Sequence, residues 1–293
     1  MNIEKWISKN THSLKGATVA ISGSTGGLGE KIVHHLASLG ASLTLLDRNE
    51  KKAERLMSSL KASFPEIELS YIKLDLEDFE NVLKVAESLK ITPPDYLILN
   101  AGAYHIPTHK CDTGYQNVFQ INFVSPYYIA RELLPYVKRV VAVGSIAHNY
   151  SKIDPSNVDF TGVLKSSKTY GNAKRYLMYS LLDLADSEKI SVVHPGITFT
   201  NITAHYPKFI FALIKHPMKV IFMGTKKASL SIINGLFDYT GRGEWIGPRV
   251  FNVWGFPKKK ALGTADEAEA RKIVEIADEI YTSIKTKTSK NLL

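Results

Sequence analysis

VAISGSTGGLGEKIVHHLASLG, residues 19–40, is the stretch whose reading decides the fold. It is entered through a short apolar run, 17–21, bounded by turn residues, which reads as a buried strand. Gly23, Gly26, Gly27 and Gly29 follow within a few positions. Leu28, Ile32, Leu36 and Leu39 then recur at the three- and four-residue spacing of a helix, and Gly40 closes it as a C-cap. Strand, glycine turn and helix start is the arrangement that aims backbone N–H groups at a phosphate. The helix N-terminus carries a partial positive charge and unpaired donors. Glycines let the turn bend and let a pyrophosphate come close to the backbone. A mononucleotide P-loop would require Gly-Lys-Ser/Thr at the helix start, whereas Gly29 is followed by Glu30 and Lys31. The spacing Gly23-x-x-x-Gly27-x-Gly29 also departs from the common Gly-x-Gly-x-x-Gly dinucleotide pattern.

Outward from this stretch the chain alternates. Residues 43–46 form a second apolar run ending in Asp47, and a charged helix spans 49–63 up to Pro65. A third strand is expected over 67–74, then a helix over 79–89, a fourth strand over 96–99, and a long helical region over 113–134 with Pro126 inside it. A fifth strand, 140–143, ends at Gly144-Ser145. A helix covers 166–186, and a sixth strand, 190–193, ends at His194-Pro195-Gly196. This alternation predicts an α/β fold: one doubly wound parallel sheet, a Rossmann fold, with helices on both faces. In such sheets ligands bind beyond the carboxyl ends of the strands. Gly23, Asp47, Asp75, Asn100, Ser145 and Pro195 all fall at such ends.

Length and composition set bounds. The 293 residues suit one large α/β domain, 1–293. One cysteine, Cys111, allows no internal disulfide, so a reducing, cytoplasmic location is expected. The N-terminus lacks the apolar core of a signal peptide, and no run approaches the roughly 18 apolar residues of a spanning helix. The net charge is +9, but lysines are spread along the chain with acids between them. No nucleic-acid partner is therefore expected, and weak contact with an anionic membrane surface is compatible with that charge. No Cys/His cluster has metal-ligand spacing, so no metal is expected, and Cys111 reads as structural.

Two features carry chemistry. Asp47, at the end of the second strand and 24 residues after Gly23, suits a carboxylate that accepts hydrogen bonds from adenosine ribose hydroxyls. Tyr170-Gly-Asn-Ala-Lys174 lies on a helix, where the four-residue spacing places tyrosine and lysine on one face, one turn apart. A free phenol, with a pKa of about 10, is a poor base at neutral pH, and a nearby ammonium would stabilise its phenolate.

In their order along the chain, Ser22-Gly23-Ser24-Thr25-Gly26-Gly27-Leu28-Gly29, Asp75, Leu99-Asn100-Ala101-Gly102, Asn122, Ser145, Tyr170-x-x-x-Lys174 and Pro195-Gly196-x-x-x-Thr200 resemble the motifs of the short-chain dehydrogenase/reductases. The resemblance implies a nicotinamide-dependent oxidoreductase. Tyr170 would be general acid/base, and Lys174 would lower its pKa and hold the nicotinamide ribose. Ser145 would polarise the substrate carbonyl, and Asn122 would kink its helix and anchor a water leading to Lys174. Gly23, Ser24, Thr25, Gly27, Leu28, Asp47, Arg48, Asp75, Leu76, Asn100, Ala101 and Gly102 would line the cofactor cleft. Pro195, Gly196, Ile197 and Thr200 would sit at the nicotinamide. Ser145-Ile-Ala-His148 and His194-Pro-Gly further resemble the retinol-dehydrogenase-like subgroup, which implies a secondary or lipophilic alcohol or its carbonyl as substrate. Ser22 stands where the family usually has threonine but keeps the hydroxyl. Asp47 favours NAD over NADP, with Arg48 beside it as the counter-indication. The rival reading is a catalytically silent dinucleotide-binding sensor or interaction protein, against which the complete Asn122, Ser145, Tyr170 and Lys174 set speaks.

Three terminal or connecting segments complete the reading. Residues 1–13 form an N-terminal arm or surface helix, 201–222 a mixed aromatic and aliphatic segment expected to lie over the substrate, and 285–293 a frayed tail. A homo-oligomer is compatible with all of this.

Overall fold

The strands alternate two sets of apolar side chains, and each set buries on its own face of the sheet. In the computed structural model, which describes residues 2–184, 188–198, 223–263 and 265–291, Thr18–Ser22 is β1, Ser42–Asp47 β2, Leu69–Lys73 β3, Tyr96–Leu99 β4, Arg139–Val143 β5, Ile190–Val193 β6, Glu244–Val250 β7 and Trp254–Ala261 β8. Their order in the sheet is β3-β2-β1-β4-β5-β6-β7-β8. The first seven run parallel, and β8 is antiparallel to β7 at one edge. The order reverses between β1 and β4, which opens a crevice at the carboxyl ends of those strands.

Helices are numbered in chain order: α1 Ile3–Asn10, α2 Gly27–Ser38, α3 Glu50–Ser63, α4 Phe79–Ile91, α5 Asn117–Phe119, α6 Ser125–Leu133, α7 Ser166–Asp183, α8 Thr225–Ala228, α9 Leu230–Phe237 and α10 Glu267–Asn291. Val19, Ile21, Leu43, Leu45, Ile98, Val141 and Val193 pack with Ile32, Leu36, Leu60 and Ile233 from α2, α3 and α9. Ala20, Leu97, Leu99, Val140, Ala142 and Val192 pack on the other face with Val82, Phe123, Tyr176, Leu177, Ile273 and Ala277. Period-two alternation along each strand thus separates two cores.

The long helical region around Pro126 resolves into three pieces. Gln120–Val124 is a π-helical turn between α5 and α6, and it places Pro126 in the first turn of α6. Asn122 sits in the middle of that turn, where its Nδ2 donates to Val118 O at 2.8 Å. Pro126 has no N–H to return to the carbonyls four or five residues back, which favours the widened turn there.

Two regions differ from expectation. The C-terminal residues read as a frayed tail continue α10 as far as Asn291, because Lys285 is anchored: its Nζ donates to Glu132 Oε1 at 2.8 Å and to Tyr281 OH at 3.1 Å. The second is the hairpin of β7 and β8, which the sequence periodicity does not announce. Trp6 on α1 is buried and stacks on Phe256 of β8 at 6.2 Å, so the N-terminal arm covers that edge. The expected segment 201–222 and Thr200 lie outside the described residues. No helix among the described residues is long and apolar enough to cross a membrane.

Candidate active site

The phosphate-facing turn is built by mutual fit between β1 and β4. Gly23 has φ +70, and a Cβ there would stand 2.8 Å from Ala101 Cα. A Cβ at Gly29 would stand 2.1 Å from Gly23 O, so α2 can begin this close to the turn only on glycine. Asn100 Nδ2 donates to Ser22 O at 3.1 Å and Gly23 O at 2.9 Å. The backbone N–H groups of Asn100 and Ala101 both donate to Ser22 Oγ at 3.1 Å. The hydroxyl at position 22 is therefore what the turn uses. Gly26 caps α2 without a side chain, and a Cβ at Gly27 would meet nothing within 4 Å. The first N–H groups of α2 are thus left to whatever lies in front of them.

In front of this turn is a cleft of about 520 Å³ lined by Gly23, Thr25, Asp47, Arg48, Asp75, Leu76, Ala101 and Gly102 among others. Of the residues assigned to it from sequence, Asn100 braces the turn from behind, and Ser24, Gly27 and Leu28 are not on its lining. Asp47 is buried, 4 % exposed, and its carboxylate is already engaged. Thr25 Oγ1 donates to Oδ1 at 2.9 Å, the Thr25 N–H at 3.2 Å, and Ser24 Oγ donates to Oδ2. The residue expected to meet ribose hydroxyls therefore also holds the glycine turn.

Sequence reasoning missed the rim of this cleft. Asn49, Lys52, Glu77, Ile106, Pro107, His109 and Asn117 line it as well. Glu77 pairs with Arg48 at 3.6 Å and faces His109 Nε2 at 3.0 Å. No motif marks Glu77, and its only signal is its place two residues beyond Asp75. The π turn and the start of α6 hold this loop: Gln120 Nε2 donates to Leu76 O at 3.0 Å and Glu77 O at 2.6 Å, and Ser125 Oγ to Leu76 O at 2.7 Å.

Asn122, Ser145, Tyr170 and Lys174 converge at the other end. Asn122 Nδ2 donates to Ala103 O at 2.8 Å, and its Oδ1 accepts from the Ala103 N–H at 3.2 Å. A Cβ at Gly102 would lie 2.7 Å from Asn122 Oδ1 and 3.6 Å from Lys174 Nζ, so Gly102 leaves these two side chains room beside the cleft. Lys174 is 2 % exposed, and its Nζ donates to Val143 O at 2.8 Å, just before Ser145. Ser145 lies beside the Tyr170 phenol. It is held by its own turn, with the Ala147 N–H donating to its Oγ at 3.2 Å and His148 Nδ1 against its carbonyl at 2.6 Å. Tyr104 meets the Tyr170 ring edge-on at 5.2 Å.

Burial governs the electrostatics of the pair. Burial pushes the Tyr170 phenol up to about 12, against the opposing hydrogen bond with Ser145. Burial pushes the Lys174 ammonium down to about 8. Lys174 Nζ stands 5.8 Å from the Tyr170 ring centroid and is turned to Val143 O, so desolvation of the phenol outweighs its attraction. At neutral pH the pair stands as a neutral phenol beside an ammonium.

Behind Ser145, His148 and His194 flank Trp245 at 5.3 Å, His194 stacked and His148 edge-on. Burial pushes His194 down to about 3 and lowers His148, so both are neutral packing groups rather than bases. Pro195, Gly196 and Ile197 follow β6, and Ile197 O accepts from the Met223 N–H at 3.0 Å. Cys111 has its thiol pushed up to about 11 by burial, so it carries no activated thiolate. No group of three or more potential metal-ligating side chains occurs among the described residues.

Comparison with known proteins agrees with this geometry. The family described as short chain dehydrogenase matches residues 17–209. An uncharacterized oxidoreductase of Schizosaccharomyces pombe is 30% identical over 237 residues, 73% of this chain and 70% of that protein. The polyprenol dehydrogenase of Homo sapiens is 25% identical over 203 residues, 63% of this chain and 62% of that one. Among solved structures, an uncharacterized protein from Mycobacterium paratuberculosis superposes with a TM-score of 0.71 at 21% identity, over 92% of this chain and 95% of that one. A short-chain dehydrogenase from Sphingobium yanoikuyae in complex with NADPH gives 0.58 at 20% identity, over 75% and 84%.

Proposed function

The chain belongs to the short-chain dehydrogenase family and is an NAD(P)-dependent oxidoreductase of small-molecule alcohols or carbonyls, and on that premise we propose that Tyr170 is its general acid/base, that its substrate is a secondary or lipophilic alcohol or the matching carbonyl, and that NAD is preferred. The observation that carries the reading is Ser145 beside the Tyr170 phenol, with Lys174 one helical turn on and next to Gly102 at the cleft wall. The dinucleotide fits this chain: the glycine turn admits a close phosphate, the start of α2 has free donors, and the cleft is of ligand size. When bound, the nicotinamide accepts or supplies the hydride.

The chain's own residues do the rest. Ser145 Oγ and Tyr170 OH are the two polar groups offered to a substrate oxygen, and Tyr170 gives up its proton as the carbonyl is reduced. Ser145 is fixed by its own turn, so it needs no reorganisation to donate. Lys174 supplies positive charge beneath the phenol, and Asn122 holds Ala103 at the wall of the site. In support of NAD, Asp47 lines the cleft, where its carboxylate would face the adenosine ribose, and its neighbour Arg48 is drawn to Glu77 at 3.6 Å. Arg48 and Lys52 on the cleft wall would serve a 2′-phosphate, so both cofactors belong in the assay. The lipophilic reading draws on the Ser145-Ile-Ala-His148 and His194-Pro-Gly resemblance to the retinol-dehydrogenase-like subgroup and on the likeness to a polyprenol dehydrogenase. A reducing, cytoplasmic setting suits the lone Cys111.

The test is a panel of alcohols and carbonyls read by nicotinamide absorbance with each cofactor, on wild type and Tyr170→Phe. Turnover should fall at least about a hundredfold in the mutant while cofactor binding, read by fluorescence, persists. A mutant that turns over normally removes Tyr170 from the chemistry.

A further inference from the structure

We propose that the tip of the β7–β8 hairpin docks the enzyme on an anionic lipid bilayer with its active-site end facing the membrane. The tip breaks a local rule. Phe251 and Asn252 both have positive φ, +50 and +59, and the Val253 N–H donates to Val250 O at 2.9 Å, which closes a two-residue turn of the mirror-image type I class. That turn favours Asn, Asp and Gly at both central positions. Phenylalanine there is a steric outlier. It is not compensated by burial, since Phe251 is 82% exposed. Val250 and Trp254, which pair across the hairpin, are 43% and 39% exposed. The second turn residue is held in place: Lys260 Nζ donates to Asn252 Oδ1 at 2.6 Å and to Pro248 O. A braced turn therefore carries an aromatic side chain out into solvent.

The charge around the tip names the occupant. Residues 245–265 contain no aspartate or glutamate, while Arg249, Lys258, Lys259 and Lys260 lie among them. Lys260 braces the turn and Lys259 pairs with Asp238, but Arg249 and Lys258 are exposed on the two arms of the hairpin. Lys227 lies over the Phe256 ring at 4.6 Å, which extends the positive face along β8. An apolar point of Phe, Trp and Val with Arg249 beside it and Lys258 behind it on the other arm matches the acyl boundary and anionic headgroups of a bilayer. Aromatic rings with a polar edge also settle at that boundary.

The position gives the docking its sense. β7 runs parallel to β6, so its end, Val250, lies at the carboxyl edge of the sheet with Ser145 and Pro195. A Cβ at Gly196 would stand 2.9 Å from both Pro248 Cγ and Val253 O, so the hairpin packs directly on the Pro195-Gly196 turn. A protein held by this tip turns the mouth of its site toward the membrane. The inference concerns where the enzyme sits and holds whichever alcohol the site takes.

The experiment is co-sedimentation of the full chain with phosphatidylcholine vesicles, with and without phosphatidylserine, together with thermal melting and analytical ultracentrifugation. Wild type should bind the phosphatidylserine vesicles and release from them at high salt. Arg249→Glu and Lys258→Glu should each weaken partitioning at least about fivefold, and Phe251→Asn about tenfold or more. Phe251→Asn should leave the melting temperature unchanged or raise it, because asparagine suits the turn. Wild type that stays in the supernatant overturns the proposal, as does a Phe251→Asn variant that binds equally well. So does a variant that melts lower without losing vesicle binding, which makes Phe251 a packing residue of its own chain. Wild type that self-associates through Phe251 and ignores vesicles overturns it in favour of a contact between copies.

Discussion

Carbonyl reduction and alcohol oxidation place opposite demands on Tyr170, and the structure favours the first at neutral pH. Reduction needs a phenol with its proton on, whereas oxidation needs a phenolate. With the phenol pushed up to about 12, forming the phenolate at pH 7 costs about 7 kcal/mol, five pH units at 1.36 kcal/mol each. In the cofactor-free protein Tyr170 should therefore ionise only in strongly alkaline solution. The assay is the tyrosinate absorbance near the ultraviolet edge during an alkaline titration, wild type minus Tyr170→Phe. The second reading is the pH dependence of kcat/KM for reduction. It should stay level up to the region of Lys174, pushed down to about 8, and fall above it as the ammonium loses its charge. Lys174→Arg, which stays charged, should remove that fall. A Tyr170-dependent ionisation step at pH 7 to 8, or an alkaline fall unchanged in Lys174→Arg, would refute the reasoning.

Three further outcomes follow from contacts in and around the site. Asp47→Ser should move the cofactor preference toward NADP, measured as the ratio of kcat/KM values, because it removes a carboxylate that would stand against a 2′-phosphate. Glu77→Gln should push the same way by no more than about fivefold, since it frees an Arg48 whose pairing is largely exposed. Arg175→Met should lower the melting temperature by roughly 6 °C, which corresponds to about 3 kcal/mol for breaking a buried pair. Arg175 is 2% exposed, its Nε and Nη2 reach Glu269 of α10 at 2.9 and 2.6 Å, and its Nη1 donates to His148 O at 3.0 Å. It is thus a positioning residue for the Ser145–His148 turn, and kcat should drop while the KM for cofactor holds. An unchanged melting curve would show that the pair is dispensable.

Part of the fold and of the candidate site is legible in the sequence, for a physical reason. Strand ends, the glycine turn and the Tyr170–Lys174 face are written in local periodicity and in the steric demands of single positions. β1, β2, β4 and β6 accordingly fall within a residue or two of their expected bounds, and Tyr170 and Lys174 lie on α7 one turn apart. Local pattern says nothing reliable where it is broken. β7 and β8 carry Gly247, Pro248, Gly255 and Pro257, with an irregular register between Pro248 and Val250, so no alternation announces them. They stand as strands because β6 offers one free edge, and an edge hairpin tolerates the missing donors.

What only the tertiary structure decided are the pairings across long stretches of chain and the balance of charge against burial. Nothing near Arg175 in sequence points to Glu269, and nothing near Arg48 points to Glu77 or His109. The carboxylate of Asp47 could be placed at the cofactor end from its spacing, but not found clasped by Ser24 and Thr25. The sequence alone put a lysine one turn from a tyrosine and so implied a lowered phenol pKa. The fold turned that ammonium to Val143 O, buried the lysine and left the phenol only partly in contact with water, and where ions are poorly solvated the cost of desolvation exceeds the attraction between them. Residue types and their spacing determine which groups can meet. How deeply they are buried, and what else reaches them, sets the protonation state in which they meet.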